Sequence, residues 1–279
     1  MRFNLTILGS GSSAGIPILS CPCKVCQSCY GKNPLEYKNI RTRTSIMLTN
    51  DEGKNLIVDT GPDFREQMFR HKVKSIDSVI YTHIHFDHTS GFDDLRAYSF
   101  FDKTPIKLYI PENMKLNFMD RFEYCFRNSS NYKGTTPQVD INILEHPGSF
   151  SSVKSFELKG WNTNVEYFCT SHGNTLVYAY KIGSFLYLTD FYQLDEGCIN
   201  FLKGKIKTVV ISGINFKKTH FIHSTISQTQ ELLKNIGFNR AVITHICHDV
   251  DYYDESNSSM LLDNVELAYD GMNFDVDTD

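Results

Sequence analysis

The chain has 279 residues, 41% of them hydrophobic and 22% charged, a balance that excludes disorder and gives length enough for one large domain or two small ones. With 28 Lys and Arg against 32 Asp and Glu the net charge is −4, so no global attraction draws the chain to nucleic acid or to an anionic membrane. No apolar run approaches the ~18–20 residues that span a bilayer, and the opening MRFNLTILGSGSSAG reads unlike a secretory signal; the expectation is a cytoplasmic enzyme with no membrane partner.

Taken in chain order, the first half predicts strands at Phe3–Leu8, Ser45–Leu48, Leu56–Asp59, Ser78–Thr82 and Ile106–Ile110, all short and rich in Val, Ile, Tyr and Phe. Gly9, Gly11 and Gly15 follow the first strand at a spacing that is wrong for a dinucleotide fingerprint and read as a turn passing close to a functional centre. Arg41 and Arg43 meet a phosphate or merely flank a strand. Helical spacing appears at Asp63–His71, where Phe64, Met68 and His71 share a face, and at Glu112–Phe126; Asn128–Gly134 reads as a surface loop. The second half predicts strands at Val165–Ser171, Thr175–Ile182, Phe185–Thr189, Lys207–Ser212, Arg240–Thr244 and Val265–Tyr269. A helix over Thr225–Ile236 is capped by Ser224 or Thr225 and closed by Gly237, and Tyr253–Ser259 reads as another loop. Two β-rich halves predict one α/β domain over residues 1–279, built from two sheets with helices outside.

Chemistry concentrates in His83-Ile84-His85-Phe86-Asp87-His88, immediately after an apolar strand. Imidazole and carboxylate are ligands for Zn, Mn or Fe, and a turn lets two groups of ligands diverge toward two adjacent ions. Three later strands end in His172, Asp190 and His245. The seven divide into His83, His85 and His172 on one ion and Asp87, His88 and His245 on the other, with Asp190 bridging, which is a two-metal hydrolase centre. Asp93, Asp94 and Arg96 follow the turn, and a carboxylate there could hold the second nitrogen of a ligating His.

Of eight cysteines, four crowd into Cys21, Cys23, Cys26 and Cys29, too close together for disulfides to staple much chain. The first three thiolates want a fourth ligand for a closed tetrahedral zinc, in an amino-terminal loop of about residues 20–30. Cys29 is a local candidate; His248, three residues after His245, is the other, and it would tie the loop to the floor of the centre.

The order HxHxDH, His, Asp, His resembles the metallo-β-lactamase superfamily. GSGSSAGIP, CPCKVCQS, RTRTS, VDTGPDFREQ, HxHxDHTSGFDDLR, the HxxHS pair and THICHD narrow the resemblance to the PhnP-type branch, the phosphoribosyl cyclic phosphodiesterases. The resemblance implies an αββα sandwich, two active-site ions of Mn or Zn, one structural zinc with His248 as fourth ligand, and hydrolysis of a small cyclic phosphodiester, either phosphoribosyl 1,2-cyclic phosphate-like or nucleoside 2′,3′-cyclic. It implies attack by a hydroxide made at the two ions, with Asp87 at the reacting centre, His220 beside the phosphate and His223 as the acid that protonates the leaving sugar oxygen. A tRNA 3′-processing nuclease, a thioester hydrolase and a non-catalytic zinc-stabilised binding protein are the rival readings. No Lys/Arg-rich insertion supports the first, so nucleic acid is not the expected partner; nothing in the pattern excludes a homodimer.

Overall fold

The structure is a computed structural model and describes residues 1–34, 36–102, 104–126, 136–216 and 218–279; the loop expected at Asn128–Gly134 lies outside the described residues. The first half of the chain forms β1 (Arg2–Gly9), β2 (Ser45–Asn50), β3 (Asn55–Val58), β4 (Ser78–Ile80), β5 (Ile106–Pro111) and β6 (Val139–Leu144). The second half forms β7 (Lys154–Leu158), β8 (Thr163–His172), β9 (Thr175–Ile182), β10 (Phe185–Leu188), β11 (Thr208–Ser212), β12 (Arg240–Thr244) and β13 (Val265–Leu267), and β14 (Asn273–Asp277) returns to the first sheet. Each sheet has seven strands, in the orders β14-β1-β2-β3-β4-β5-β6 and β13-β12-β11-β10-β9-β8-β7.

Successive residues of the central strands enter different cores, which makes these strands continuously apolar. Leu56 and Val58 face the layer between the sheets while Ile57 faces outward; Val210 and Val242 face inward while Val209, Ile211 and Ile243 face outward. A strand covered on both faces reads as an apolar run without alternation. The inter-sheet core is closed by Phe3, Tyr109, Tyr167, Tyr178 and Tyr187. Phe64, Met68, Phe92 and Phe118 cover the outside of the first sheet, and Leu202, Leu233 and Ile236 cover the outside of the second. The result is the expected αββα sandwich.

The expected helix over Glu112–Phe126 is broken into a 3-10 turn at Glu112–Met114 and helices at Lys115–Arg121 and Glu123–Phe126, with Phe122 out of helical geometry at φ −111. Despite the break, Phe118, Phe122 and Phe126 keep to one side and all meet Phe92. Helices at Phe64–Arg70 and Ile226–Ile236 match the spacing, the latter started by a Thr225–Gln228 capping box and ended by Gly237 at φ 76. Short helices at Lys24–Ser28 and Glu255–Ser258 replace the irregular structure expected in the cysteine segment and around Tyr253–Ser259. Parallel pairing of β3-β4-β5 and of β10-β11-β12 sends the carboxyl ends of several strands to one edge of the sandwich, where open α/β sheets carry their sites.

Candidate metal centre

His83 follows β4, His172 ends β8, Asp190 follows β10 and His245 follows β12, so both sheets contribute to one cluster. One group of side chains, His83, His85, His172 and Asp190, has its ligand atoms within 4.8 Å of one another; Asp87, His88, Asp190 and His245 form a second such group. Asp190 belongs to both. Its Oδ2 lies 3.4 Å from His88 Nε2, 3.8 Å from His83 Nε2 and 3.9 Å from His172 Nε2, while its Oδ1 lies 3.2 Å from His245 Nε2. Asp87 Oδ2 lies 3.3 Å from His88 Nε2 and 3.7 Å from His245 Nε2.

These atoms fit a pair of divalent cations. His83 Nε2, His88 Nε2 and both nitrogens of His245 are buried with no hydrogen-bond partner, a costly state that a cation relieves. Burial opposes the charge on Asp190, yet His245 and His88 hold its carboxyl well below the usual range. Burial, with His88 beside it, pushes the His83 imidazole well below its ordinary value, leaving the neutral form that ligates. Asp190 and His245 sit at φ 51 and φ 57, a left-handed conformation that non-glycine residues adopt at a cost and that clusters at functional sites.

The carboxylate that orients a candidate ligand is Asp59, not Asp93 or Asp94. Asp59, itself at φ 65, accepts from His88 Nδ1 at 2.7 Å and from the Thr82 amide and hydroxyl at 2.8 and 2.7 Å. Asp93 instead bonds Tyr124 and Arg96. The signal for Asp59 was an acidic residue closing the apolar strand LIVD. The loop after it packs backbone against backbone on the histidine turn: Thr60 N donates to His88 O and Gly91 N to Thr60 O, both at 2.8 Å. A Cβ on Gly61 would lie 2.2 Å from Asp87 O, so that position admits only glycine. Arg121 braces the turn from outside, donating to Ile84 O and Thr89 Oγ1 at 2.7 Å.

Neither early arginine is free for phosphate. Arg41 is buried and donates to Cys247 O, Val250 O and Asn39 Oδ1, and Arg43 pairs with Asp63 at 3.1 Å. Arg41 thereby fixes the segment that carries His245 and His248. The glycine turn does pass beside the centre, since Ile246 N donates to Ser10 O and Ser12 N to Ile246 O.

His248 Nδ1 lies 3.2, 3.5 and 3.6 Å from the sulfurs of Cys21, Cys23 and Cys26, and these four form a third group suited to a metal. Cys29 is not brought into it; its thiol donates to Val25 O at 3.2 Å inside the packed loop. The helix at Lys24–Ser28 starts on Cys23, whose sulfur accepts from Cys26 N at 3.4 Å and so keeps these two side by side, whereas Cys29 caps its other end with its thiol turned back to Val25 O.

His223 and His220 stand beside the two-sheet cluster but outside both ligand groups. The His223 ring lies 4.4 Å from that of His172 and 4.8 Å from those of His245 and His220. Burial first, then the neighbouring His245, lowers its pKa to about 3, which favours the neutral ring. His172 Nδ1 meets Ile222 O at 2.9 Å, which ties this loop to the cluster.

Comparison with known proteins places the geometry in context. The beta-lactamase superfamily domain matches residues 54–246, which include every residue of the two-sheet cluster. A crystal structure of a diphosphatase from the PhnP family is 32% identical and covers 99% of this chain and 98% of its own, with a TM-score of 0.82. An octanoyltransferase of Porphyromonas gingivalis is 31% identical over 271 residues, 97% of this chain and 51% of that protein. The fold is also that of zinc-bound PqqB from Methylobacterium extorquens, with a TM-score of 0.73 at 18% identity over 98% of this chain and all 100% of that one. The chain spans about half the length of the curated relatives it matches.

Proposed function

The chain belongs to the beta-lactamase superfamily, in its PhnP-type branch, and from that premise we propose that it is a di-metal phosphodiesterase acting on a small cyclic phosphodiester. The observation that carries the reading is Asp190, one carboxylate shared between two four-residue groups, with two further histidines alongside that neither group needs. Mn or Zn would be held by His83, His85, His172 and Asp190 on one side and by Asp87, His88, His245 and Asp190 on the other; a zinc would be held by Cys21, Cys23, Cys26 and His248. Divalent ions in such a pair supply Lewis acidity toward phosphoryl oxygens and make water nucleophilic at neutral pH.

The protein's own groups supply the rest. Asp59 fixes the ring plane of His88. His220, exposed at the rim, would contact a phosphoryl oxygen, and His223 would carry a proton to the departing sugar oxygen once the substrate's negative charge has raised its pKa. A strained cyclic ester suits this arrangement because its leaving group stays tethered and needs one proton donor.

Cleavage of a phosphoanhydride is the second reading, favoured by the diphosphatase described at 32% identity. The octanoyltransferase name belongs to a protein about twice as long, of which the alignment covers 51%, and does not assign acyl transfer to this half. Product analysis on ribose 1,2-cyclic phosphate, nucleoside 2′,3′-cyclic phosphates, a diphosphate ester and an aryl phosphodiester separates the readings. With His223→Ala, turnover of sugar esters should fall about 10²–10⁴-fold while aryl esters, whose leaving groups need no proton, fall far less. Equal losses at full metal occupancy remove His223 from the acid role. A non-catalytic zinc-binding protein would hold about one ion by metal analysis; the enzyme should hold about three.

A further inference from the structure

Four imidazoles run in series from the cluster outward, from half-exposed His85 through buried His172 and His223 to exposed His220: His85 to His172 at 5.1 Å between ring centres, His172 to His223 at 4.4 Å, and His223 to His220 at 4.8 Å. A phenylalanine adjoins each end. Phe86 follows His85 and is 64% exposed; Phe221 follows His220 and is 97% exposed. The chain that follows Phe221 is held in place. Ile222 O is bound by His172 Nδ1 at 2.9 Å, Ser224 N donates to Phe191 O at 2.7 Å, and Ile214 N donates to Ser224 O at 3.0 Å. The residues after it are pinned inward while the ring stays out, forgoing the burial that a side chain of its size normally gains.

Resting on the phosphodiesterase reading, we propose that Phe221 is a specificity platform that stacks on the base of the substrate, so that the favoured ester is that of a nucleoside. The imidazoles of His220 and His223, suited to phosphate and sugar, flank Phe221 in the chain and lie 4.8 Å apart between ring centres. A planar base fits because every base offers a π face, and an aromatic ring presenting its own face to solvent stacks on it without needing a matched hydrogen-bond pattern.

The test uses the metal-loaded wild-type protein, F221A and F221W, with a nucleoside 2′,3′-cyclic phosphate and with ribose 1,2-cyclic phosphate, which has no base. In F221A the ratio of kcat/KM for the nucleoside ester to that for the ribose ester should fall about 5- to 100-fold, the range one base–aromatic stack is worth, through KM rather than kcat. F221W should restore the ratio. Because Trp161 is the single native tryptophan and is 4% exposed, the F221W protein also gives a direct binding signal. Its fluorescence should be quenched by adenosine monophosphate and not by ribose phosphate. An unchanged ratio, or equal quenching by both phosphates, overturns the platform. If the wild-type protein cleaves neither ester, the phosphodiesterase reading fails, and the fluorescence titration still decides whether Phe221 binds a base.

Discussion

Asp59 lies in neither group of candidate ligands, yet it satisfies His88 Nδ1 and both polar groups of Thr82 in a fully buried position. Removing such a partner typically costs 10–100-fold in metal affinity. Asp59→Ala should therefore weaken binding at the group containing Asp87, His88 and His245 by about that factor with the circular dichroism spectrum retained, as read by metal titration; unaltered affinity would dismiss the positioning role. At this scale the sequence was legible where chemistry is dense and local. His83, His85, Asp87 and His88 stand out within one short turn, and the structure gathers them with His172, Asp190 and His245. Asp59 escaped notice because its partner His88 is 29 residues away and because Asp93 and Asp94 offered a nearer carboxylate. Between the two candidates for the fourth sulfur-site ligand, the structure brings His248 and not the sequence-adjacent Cys29 to Cys21, Cys23 and Cys26, because the Cys29 thiol is taken up by Val25 O.

Among the elements, the strands missed from the sequence are β6, β7 and β14, and all three lie at sheet edges. Each exposes polar residues to solvent, as in Asp140, Glu157 and Asp275, so none shows the unbroken apolar run of the central strands. The helix at Ile226–Ile236 was legible because its cap, its apolar face and its terminal glycine agree. Its capping box sits two residues after His223, and Thr225→Ala should cost about 1 kcal/mol of stability by denaturant titration. A loss below a few tenths would mean that Ser224 takes over the cap. The cysteine loop makes a separate prediction. Cys23→Ser and His248→Ala should each release one zinc and lower the melting temperature, because a structural site contributes folding free energy directly. Cys29→Ser should keep the zinc; its release by that variant instead would restore Cys29 as the fourth ligand.

At the scale of the whole molecule, the two β-rich halves of the chain become the two sheets, with β14 crossing back to pair with β1. That return was not legible, since pairing between residues as far apart as Phe3 and Val276 leaves no local pattern. Among the described residues no helix is long and apolar enough to cross a membrane. Each candidate ligand group draws on both layers: His83, His85, Asp87 and His88 come from the first sheet, and His172, Asp190 and His245 from the second. An ion seated there is a rivet through the sandwich, and its effect should be visible as suppressed breathing. In hydrogen–deuterium exchange, adding metal to the stripped protein should slow the amides after β3 and β4 together with those after β10 and β12, beyond what the few backbone bonds between the layers, such as Tyr178 N to Thr82 O, already hold. Slowing confined to one sheet would mean that the ion is held from one side only.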